Sequence, residues 1–250
     1  MKGQPIIVMK VIDYDLIAND YDNLVKEDVE NFRFPYSEYN LLQEIIIEYI
    51  LDNPKGKKSK ILDIGIGTAS LYERINPDQI ELTGIDNSFE MLEIAKLKVP
   101  EAKLINHNIK KGLPKEVNEE KYDFIVVSYL FMHFDFEFIV YFIDLFRKRL
   151  APFGKLLIGD IMFYNENNKI KCFRENPNIC KHDLYFHVYE DILERLEDNY
   201  DLSFMEINQY TGLVIVEKLY QNSLQYEETL IEYNGNTEKW KSTHPEKKSE

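Results

Sequence analysis

The chain has 250 residues, and its 30 Lys and Arg against 44 Asp and Glu give a formal net charge of −14 at pH 7. This acidic balance argues against a general nucleic-acid binder, because phosphate contacts need clustered basic side chains. It argues equally against adhesion to an anionic membrane surface. Apolar residues make up 44% of the chain, which is typical of a globular protein, and two cysteines imply no disulfide framework.

The amino-terminal stretch carries a short apolar run, residues 6–12, which Lys10 interrupts and which has no small-residue cleavage site. These features argue against a secretory signal peptide. No apolar run approaches the roughly 18 residues that a membrane-spanning helix needs. We therefore expect a cytoplasmic protein that does not associate with membranes. Beyond residue 220 the chain turns polar, which indicates a polar tail over 221–250, and its final stretch, 242–250, is predicted to be disordered.

The first 52 residues are predicted to be helical. Residues 13–30 are polar with scattered apolar positions, which indicates one or two short helices before a break at Phe34-Pro35. Apolar residues then recur at spacings of three and four between Leu41 and Ile50, as on one face of an amphipathic helix.

Strands and helices alternate along the next hundred residues. Apolar runs predict strands over 60–64, 81–85, 102–105, 122–127 and 154–161, and the segments between them predict helices over 68–75, 88–99 and 136–150. Because such alternation forms right-handed crossovers, the strands are expected to lie in a parallel sheet.

The carboxyl-terminal part follows a different pattern. Residues 163–186 have no clean periodicity, and a helix is predicted over 189–199. Predicted strands over 202–208 and 213–219 are separated by only four residues. So short a link requires an antiparallel hairpin, most simply at the sheet edge.

Two glycines, Gly65 and Gly67, directly follow the first predicted strand. Glycine lets the chain turn sharply and lets a ligand approach the backbone, and the next helix offers free N–H groups at its amino end. Asp86 ends the second predicted strand, where a carboxylate binds ribose hydroxyls in dinucleotide folds. The pattern predicts a nucleoside at the carboxyl ends of the strands.

This nucleoside is predicted to be cationic. Asp63 lies two residues before the first glycine, and position 70 is Ser where a dinucleotide site usually has a third glycine. A carboxylate at this point repels a pyrophosphate and attracts an ammonium or sulfonium group.

The pattern Asp63-x-Gly65-x-Gly67, followed by Asp86, resembles the class I S-adenosylmethionine-dependent methyltransferases, in particular small uncharacterised bacterial members. The resemblance covers roughly residues 21–218. It implies an α/β fold, with a Rossmann-like, doubly wound, mostly parallel seven-stranded sheet, a C-terminal antiparallel hairpin and an N-terminal helical cover. The expected single domain spans 1–220, with 1–52 as the cover, 60–161 as the cofactor-binding half, and 162–220 as the substrate region and hairpin.

The resemblance also implies S-adenosylmethionine as the cofactor and a set of residues that contact it. Asp63 corresponds to the acid near the methionine amino group, and Asp86 corresponds to the acid that binds the ribose. Gly65 and Gly67 form the cofactor loop. The other implied contacts are Tyr21 in a Tyr-Asp segment that closes over the cofactor, Asn87, Met91 and Asn108 near the adenine, and Ser128 after the fourth strand.

The candidate catalytic residues, His133 and Tyr129, follow the fourth predicted strand. An imidazole titrates near neutral pH, so His133 is a candidate base, although a packing role is open to it as well. Tyr129 is a candidate for orienting the acceptor. The loop that holds them lacks the Asn/Asp-Pro-Pro-Tyr motif of members that methylate exocyclic or amide nitrogens. We therefore expect a small-molecule acceptor, no nucleic-acid or membrane partner, and a monomer or homodimer.

The chain departs from the family pattern at three positions. Ala69 replaces a third glycine, and Ala is the next smallest residue. Asn108 stands where the family usually has Asp; its carbonyl offers the adenine the same acceptor, and a turn residue is an equal reading. Phe153 replaces the first glycine of the turn that leads into the fifth strand.

Two other functions stay open. An NAD-dependent oxidoreductase on the same general fold is disfavoured by Ser70 at the third glycine position. A non-catalytic methyltransferase-like binding subunit is compatible with the departures at Ala69 and Asn108. No metal is expected, because the spacing of Cys172, Cys180 and the two histidines that follow fits no common zinc pattern.

Overall fold

The computed structural model describes residues 13–52 and 58–219. The strands are β1 (Ser59–Ile64), β2 (Ile80–Asp86), β3 (Lys103–Asn106), β4 (Tyr122–Ser128), β5 (Leu150–Phe163), β6 (His187–Val188), β7 (Tyr200–Glu206) and β8 (Thr211–Lys218). The α-helices are α1 (Tyr14–Glu30), α2 (Tyr39–Leu51), α3 (Phe89–Lys98), α4 (Lys115–Asn118), α5 (Phe136–Arg147), α6 (Glu166–Glu175) and α7 (Tyr189–Leu196). The apolar run over 6–12 and the tail over 221–250 lie outside the described residues.

The sheet is mixed, with its strands in the order β3-β2-β1-β4-β5-β8-β7 and with β6 pairing β5 beside this path. Neighbours from β3 to β5 run parallel, and β8 runs antiparallel to both β5 and β7. The predicted α/β fold with a C-terminal antiparallel hairpin is confirmed. The two-residue β6 adds an eighth strand to the seven predicted.

Apolar side chains cover both faces of the sheet. Along β1, Ile61 packs in the same cluster as Ile46 of α2, whereas its neighbour Leu62 packs in the opposite cluster with Phe142 of α5. All four side chains are fully buried, and each such burial contributes roughly 1.5–3 kcal/mol. A sheet covered on both faces explains why its central strands are nearly continuous apolar runs.

The helix predicted over 68–75 is replaced by a short 3₁₀ turn, Ser70–Arg74. The cause is the backbone conformation of the residues just before Ser70. Gly67 and Ala69 have φ angles of 54° and 60°, in the left-handed region, so a right-handed helix cannot begin before Ser70.

The boundary between α5 and β5 also differs from the prediction. α5 ends at Arg147, and β5 already begins at Leu150, in the segment predicted as helix end and turn. Phe153 has a φ of 59°. The pairing register between β4 and β5 shifts beside it, so these residues form a bulge within the strand.

Residues 163–186 contain α6, which their pattern does not reveal. Asn165 caps this helix by accepting a hydrogen bond from the Asn168 N–H. Cys172 is its one buried side chain, so the helix lacks the apolar stripe from which helices are predicted.

No helix within 13–52 or 58–219 combines the length and the apolarity that crossing a bilayer requires. Because β1 to β5 are parallel, the carboxyl ends of β1, β2 and β4 share one edge of the sheet. In open α/β sheets, ligands bind at this edge.

Candidate functional site

A glycine loop leaves the carboxyl end of β1 and is tied to the end of β2. The Gly65 N–H donates to the Ile85 carbonyl at 2.8 Å, and the Gly67 N–H donates to Asp86 Oδ2 at 2.9 Å. Gly65 and Gly67 have φ angles of 78° and 54°, which L side chains rarely adopt. A Cβ at Gly67 would meet no atom within 4 Å, so open space lies beside this loop.

Asp63 is a buried carboxylate with one oxygen in use and one without a partner. Its side chain is 4% exposed. Oδ2 accepts a 2.6 Å hydrogen bond from the Tyr72 hydroxyl, whereas Oδ1 is buried and has no hydrogen-bond partner among the described residues. Burial, opposed by the Tyr72 hydrogen bond, raises the pKa of Asp63 to about 7. An unpaired buried oxygen is costly, and a cationic donor placed beside it removes that cost.

Asp86 holds two elements together at the end of β2. Oδ2 accepts the Gly67 N–H, and Oδ1 accepts the Ser88 N–H at 2.9 Å. Ser88 caps α3 through a bond from the Met91 N–H. Burial raises the pKa of Asp86, opposed by these backbone donors. An ionised carboxylate offers about four lone-pair positions, so Asp86 keeps acceptor capacity for hydroxyl groups.

A cleft lies between the glycine loop, the end of β4 and the helices α1 and α2. Six candidates predicted from the sequence line this cleft: Tyr21, Asp63, Gly65, Gly67, Ser128 and Tyr129.

Helix α1 is fastened across this end of the sheet by polar contacts. Asp15 accepts from the Ser88 hydroxyl at 2.5 Å, and Asp22 accepts from the Thr68 hydroxyl at 2.6 Å. Lys98 of α3 also pairs with Asp22, at 2.5 Å. The helix is therefore held to both the glycine loop and α3, and Tyr21 is held at the cleft.

His133 forms part of the contact with α1. Its Nε2 lies 2.8 Å from the Tyr14 hydroxyl. Burial, assisted by Lys110, lowers the pKa of His133 to about 4, so the imidazole is neutral at pH 7. His133 does not line the cleft described above; Tyr129 does.

Asp160 fixes the segment that carries Tyr129 and His133. It is fully buried on β5, and its carboxylate accepts the backbone N–H groups of Phe131 at 2.6 Å and Ile161 at 2.8 Å. Burial raises the pKa of Asp160 to about 7. The carboxylate holds the 3₁₀ turn Phe131–His133 against β5 from within the core.

Four predicted cofactor contacts do not line this cleft: Asp86, at the end of β2, and Asn108, Met91 and Asn87. Asn108 is exposed and caps a short turn, because its Oδ1 accepts the Lys110 N–H at 2.9 Å. Met91 is buried in the core, and Asn87 is exposed beside Asp86. These three residues follow β2 and β3, at the same edge of the sheet but outside the cleft lining.

Several site residues carry no sequence signal. Tyr72 belongs to no motif, and Tyr14 meets His133 across 119 positions of the chain. Asp160 resembles any other strand residue in the sequence. Within the described residues, no group of three His, Cys, Asp or Glu side chains is arranged to hold a metal ion.

Comparison with known proteins agrees with this geometry. Residues 61–154 match the family model of a methyltransferase domain. An uncharacterised methyltransferase of Alkaliphilus oremlandii is 27% identical over 218 residues, covering 82% of this chain and 95% of that protein. The uncharacterised methyltransferase YrrT of Halobacillus halophilus is 26% identical, covering 80% of this chain and 93% of that protein.

Solved structures share the fold. The DhpI-SAH complex has a TM-score of 0.59 at 14% identity, covering 82% of this chain and 93% of that one. Magnesium protoporphyrin IX methyltransferase (ChlM) of Synechocystis, with bound SAH, also has a TM-score of 0.59 at 14% identity, covering 82% of this chain and all of that one. The resemblance drawn from the glycine motif is thereby confirmed.

Proposed function

Because this chain carries a methyltransferase-family domain, we propose that it transfers a methyl group from S-adenosylmethionine to a small molecule. The observation that carries the proposal is the unpaired Oδ1 of Asp63, a buried anionic acceptor in a cleft beside two left-handed glycines. Residues 1–220 act as one domain in this proposal, and the protein works in the cytoplasm as a monomer or homodimer.

The residues in and beside the cleft suit this cofactor. Asp63 Oδ1 would accept the amino group of the methionine part, and Asp86 would accept the ribose hydroxyls while it keeps its backbone donors. Gly65 and Gly67 leave room for close approach to the backbone. A pyrophosphate in the same cleft would face the Asp63 carboxylate, which disfavours the NAD-dependent alternative.

When bound, S-adenosylmethionine supplies an electrophilic methyl group on a positively charged sulfur. The chain's task is then to align the acceptor and to exclude water, and alignment alone lowers such barriers by about 7–11 kcal/mol. Tyr129, at the end of β4, orients the acceptor. Helix α1 and Tyr21 cover the site and keep water out.

His133 is retained as the residue that receives a proton from the acceptor. Its pKa of about 4 makes it a neutral acceptor at pH 7 but a weak base, so it serves acceptors that lose their proton during the transfer rather than before it. Tyr14, bonded to Nε2, sets the orientation of the ring.

Calorimetric titration with S-adenosylmethionine and S-adenosylhomocysteine (SAH) tests the proposal. We expect saturable binding of both ligands to one site per chain. A folded sample that binds neither at millimolar concentration would exclude the function. A fluorescence titration with NADH tests the oxidoreductase alternative. Cofactor binding without turnover, together with a copurifying protein, would favour the non-catalytic subunit.

A further inference from the structure

Five tyrosines form a continuous cluster at the cleft, called here the tyrosine cluster: Tyr14, Tyr21, Tyr36, Tyr39 and Tyr129. Tyr36 is central, with its ring centroid 6.2 Å from that of Tyr21, 5.8 Å from that of Tyr39 and 5.1 Å from that of Tyr129. Tyr14 extends the cluster from Tyr21, at 6.1 Å, to His133, at 5.8 Å. Three members line the cleft.

The rings of the cluster stay uncharged. Burial raises the pKa of Tyr14 and Tyr39 to about 12, and it raises the pKa of the other three members well above the usual value. Neutral phenol rings present negative π faces, which attract cations. The imidazole of His133 is neutral as well, so it adds no opposing charge.

Carboxylates surround the same rings. Asp63 lines the cleft together with Tyr39. The charges of Asp86 and Asp160 act to raise the pKa of Tyr14, and those of Asp22 and Asp63 act to raise that of Tyr39.

Two basic side chains act in the opposite sense. Arg74, although it pairs with Glu44 at 3.1 Å, acts to lower the pKa of Tyr39, and Lys110, which lies over the Phe134 ring at 5.1 Å, acts to lower the pKa of His133. Lys98 pairs with both Asp22 and Glu73. The carboxylates that act on Tyr14 and Tyr39 outnumber these cations, so the field at the cluster is negative on balance, which opposes a carboxylate, phosphate or phenolate acceptor.

We propose, on the basis of the function proposed above, that the methyl acceptor is an amine and that the tyrosine cluster holds the ammonium group formed on it. The unprotonated nitrogen donates its lone pair to the methyl carbon, so an N–C bond forms as the S–C bond breaks. The positive charge passes from sulfur to nitrogen, and SAH leaves as a neutral thioether. A tertiary amine releases no proton, and a primary or secondary amine afterwards loses one to solvent, so an amine acceptor does not use the base role proposed above for His133.

Tetramethylammonium binding to the SAH-saturated protein tests this inference, with tert-butanol and pivalate as neutral and anionic probes of similar shape. We expect tetramethylammonium to bind at least about fivefold more tightly than tert-butanol, since a desolvated cation–π contact is worth that much or more. Pivalate should bind more weakly than either. Equal affinity for the three probes, or a preference for pivalate, would overturn the inference.

Two variants of Tyr21 provide the matched control. Tyr21→Phe keeps the ring, and Tyr21→Leu removes it. We expect the leucine variant to lose at least about threefold in tetramethylammonium affinity while the phenylalanine variant stays close to wild type. Equal affinity in the two variants would contradict the role of the ring. SAH binding is measured first, so a failure to bind SAH counts against the proposed function, and a failure of cation preference with SAH bound counts against this inference alone.

Discussion

The Tyr72 hydroxyl donates a 2.6 Å hydrogen bond to Oδ2 of Asp63, whereas Oδ1 of the same carboxylate has no hydrogen-bond partner within residues 13–52 and 58–219. Both side chains are buried, and Asp63 lines the cleft. The hydrogen bond favours the ionised form of Asp63, and burial opposes it. Tyr72 therefore determines how much of Asp63 is ready to bind a cation at neutral pH.

Replacement Tyr72→Phe should weaken SAH binding at pH 7. A lost hydrogen bond to a charged group costs about 1.5–3 kcal/mol, which corresponds to a rise of about one to two units in the pKa of Asp63. Because the carboxylate still ionises at higher pH, affinity should return toward wild type at pH 9. Calorimetry at both pH values is the measurement. A loss of affinity that is the same at pH 7 and pH 9 would contradict this role of Tyr72.

The affinity of the wild-type protein for SAH should depend on pH through Asp63. Below the Asp63 pKa of about 7, the ionised fraction of the carboxylate rises about tenfold per pH unit. The affinity for SAH should therefore rise by nearly tenfold per pH unit between pH 5 and pH 6.5, and it should level off above pH 7.5. Asp63→Asn cannot ionise and should remove this rise. If the variant keeps the same slope, another group governs binding.

Asp86→Ala should lower SAH affinity by about 10- to 100-fold, because hydrogen bonds from ribose hydroxyls to a charged acceptor are lost. The variant also frees the Gly67 and Ser88 N–H groups, so thermal unfolding must be measured beside calorimetry. Asp201→Ala, an exposed carboxylate change on β7, is the matched control. A folded Asp86→Ala protein with unchanged affinity would refute the ribose assignment.

Asp160→Asn should destabilise the protein, because an amide cannot accept all the backbone N–H groups that the carboxylate accepts; a buried unpaired donor costs about 1–3 kcal/mol. The difference in unfolding free energy between the wild type and Asp160→Asn should also depend on pH. The pKa of Asp160 is about 7 when folded, against an ordinary 3.8. Between these values the folded state keeps a proton that the unfolded state has lost, so wild-type stability falls as pH rises.

Urea denaturation of Asp160→Asn and wild type at pH 5 and pH 7.5 measures this difference. We expect the difference in unfolding free energy between the two proteins to be smaller at pH 7.5 than at pH 5. A difference in stability that is the same at pH 5 and pH 7.5 would show that the Asp160 carboxylate is already ionised in the folded protein at pH 5, and it would contradict the raised pKa.

Ala69→Gly should leave the stability nearly unchanged. Ala69 has a φ of 60°, a left-handed conformation that costs an L residue roughly 1–2 kcal/mol and that glycine adopts freely. The greater unfolded-state entropy of glycine offsets about 0.5–1 kcal/mol of this relief, and the loss of a buried methyl group offsets about 0.8 kcal/mol more. Ala95→Gly, an equally buried alanine in the middle of α3, is the control and should lower stability. Thermal unfolding measures both, and an equal fall in melting temperature for the two variants would contradict the strain.

The regular part of the fold could be predicted because its signals are local. A nearly continuous apolar run marks β4, and the short link before β8 requires a hairpin. The bulge at Phe153 could not be predicted, because it depends on a positive φ angle and phenylalanine is not a residue type that indicates one. At Ala69 the sequence indicated that small size mattered, whereas the structure shows that the φ angle is the constraint.

The candidate site divides in the same way. Asp63 and the two glycines lie at the end of β1, and Asp86 lies at the end of the neighbouring strand β2. Their spacing along the chain therefore indicates that they lie close together in the fold. Tyr14, Tyr72 and Asp160 act through contacts with residues on other elements, and nothing in the sequence near them indicates the partner. Asn108 matched a family position, but its carbonyl caps a local turn, an outcome that the sequence left equally open.

A crystal structure with SAH bound would locate the amino group of the ligand relative to Asp63 and so decide whether this carboxylate binds the cofactor. We expect the amino nitrogen within about 3 Å of Asp63 Oδ1, with the Tyr72 hydrogen bond to Oδ2 preserved. An SAH molecule whose amino group lies elsewhere, with Oδ1 still unpaired, would contradict this role of Asp63.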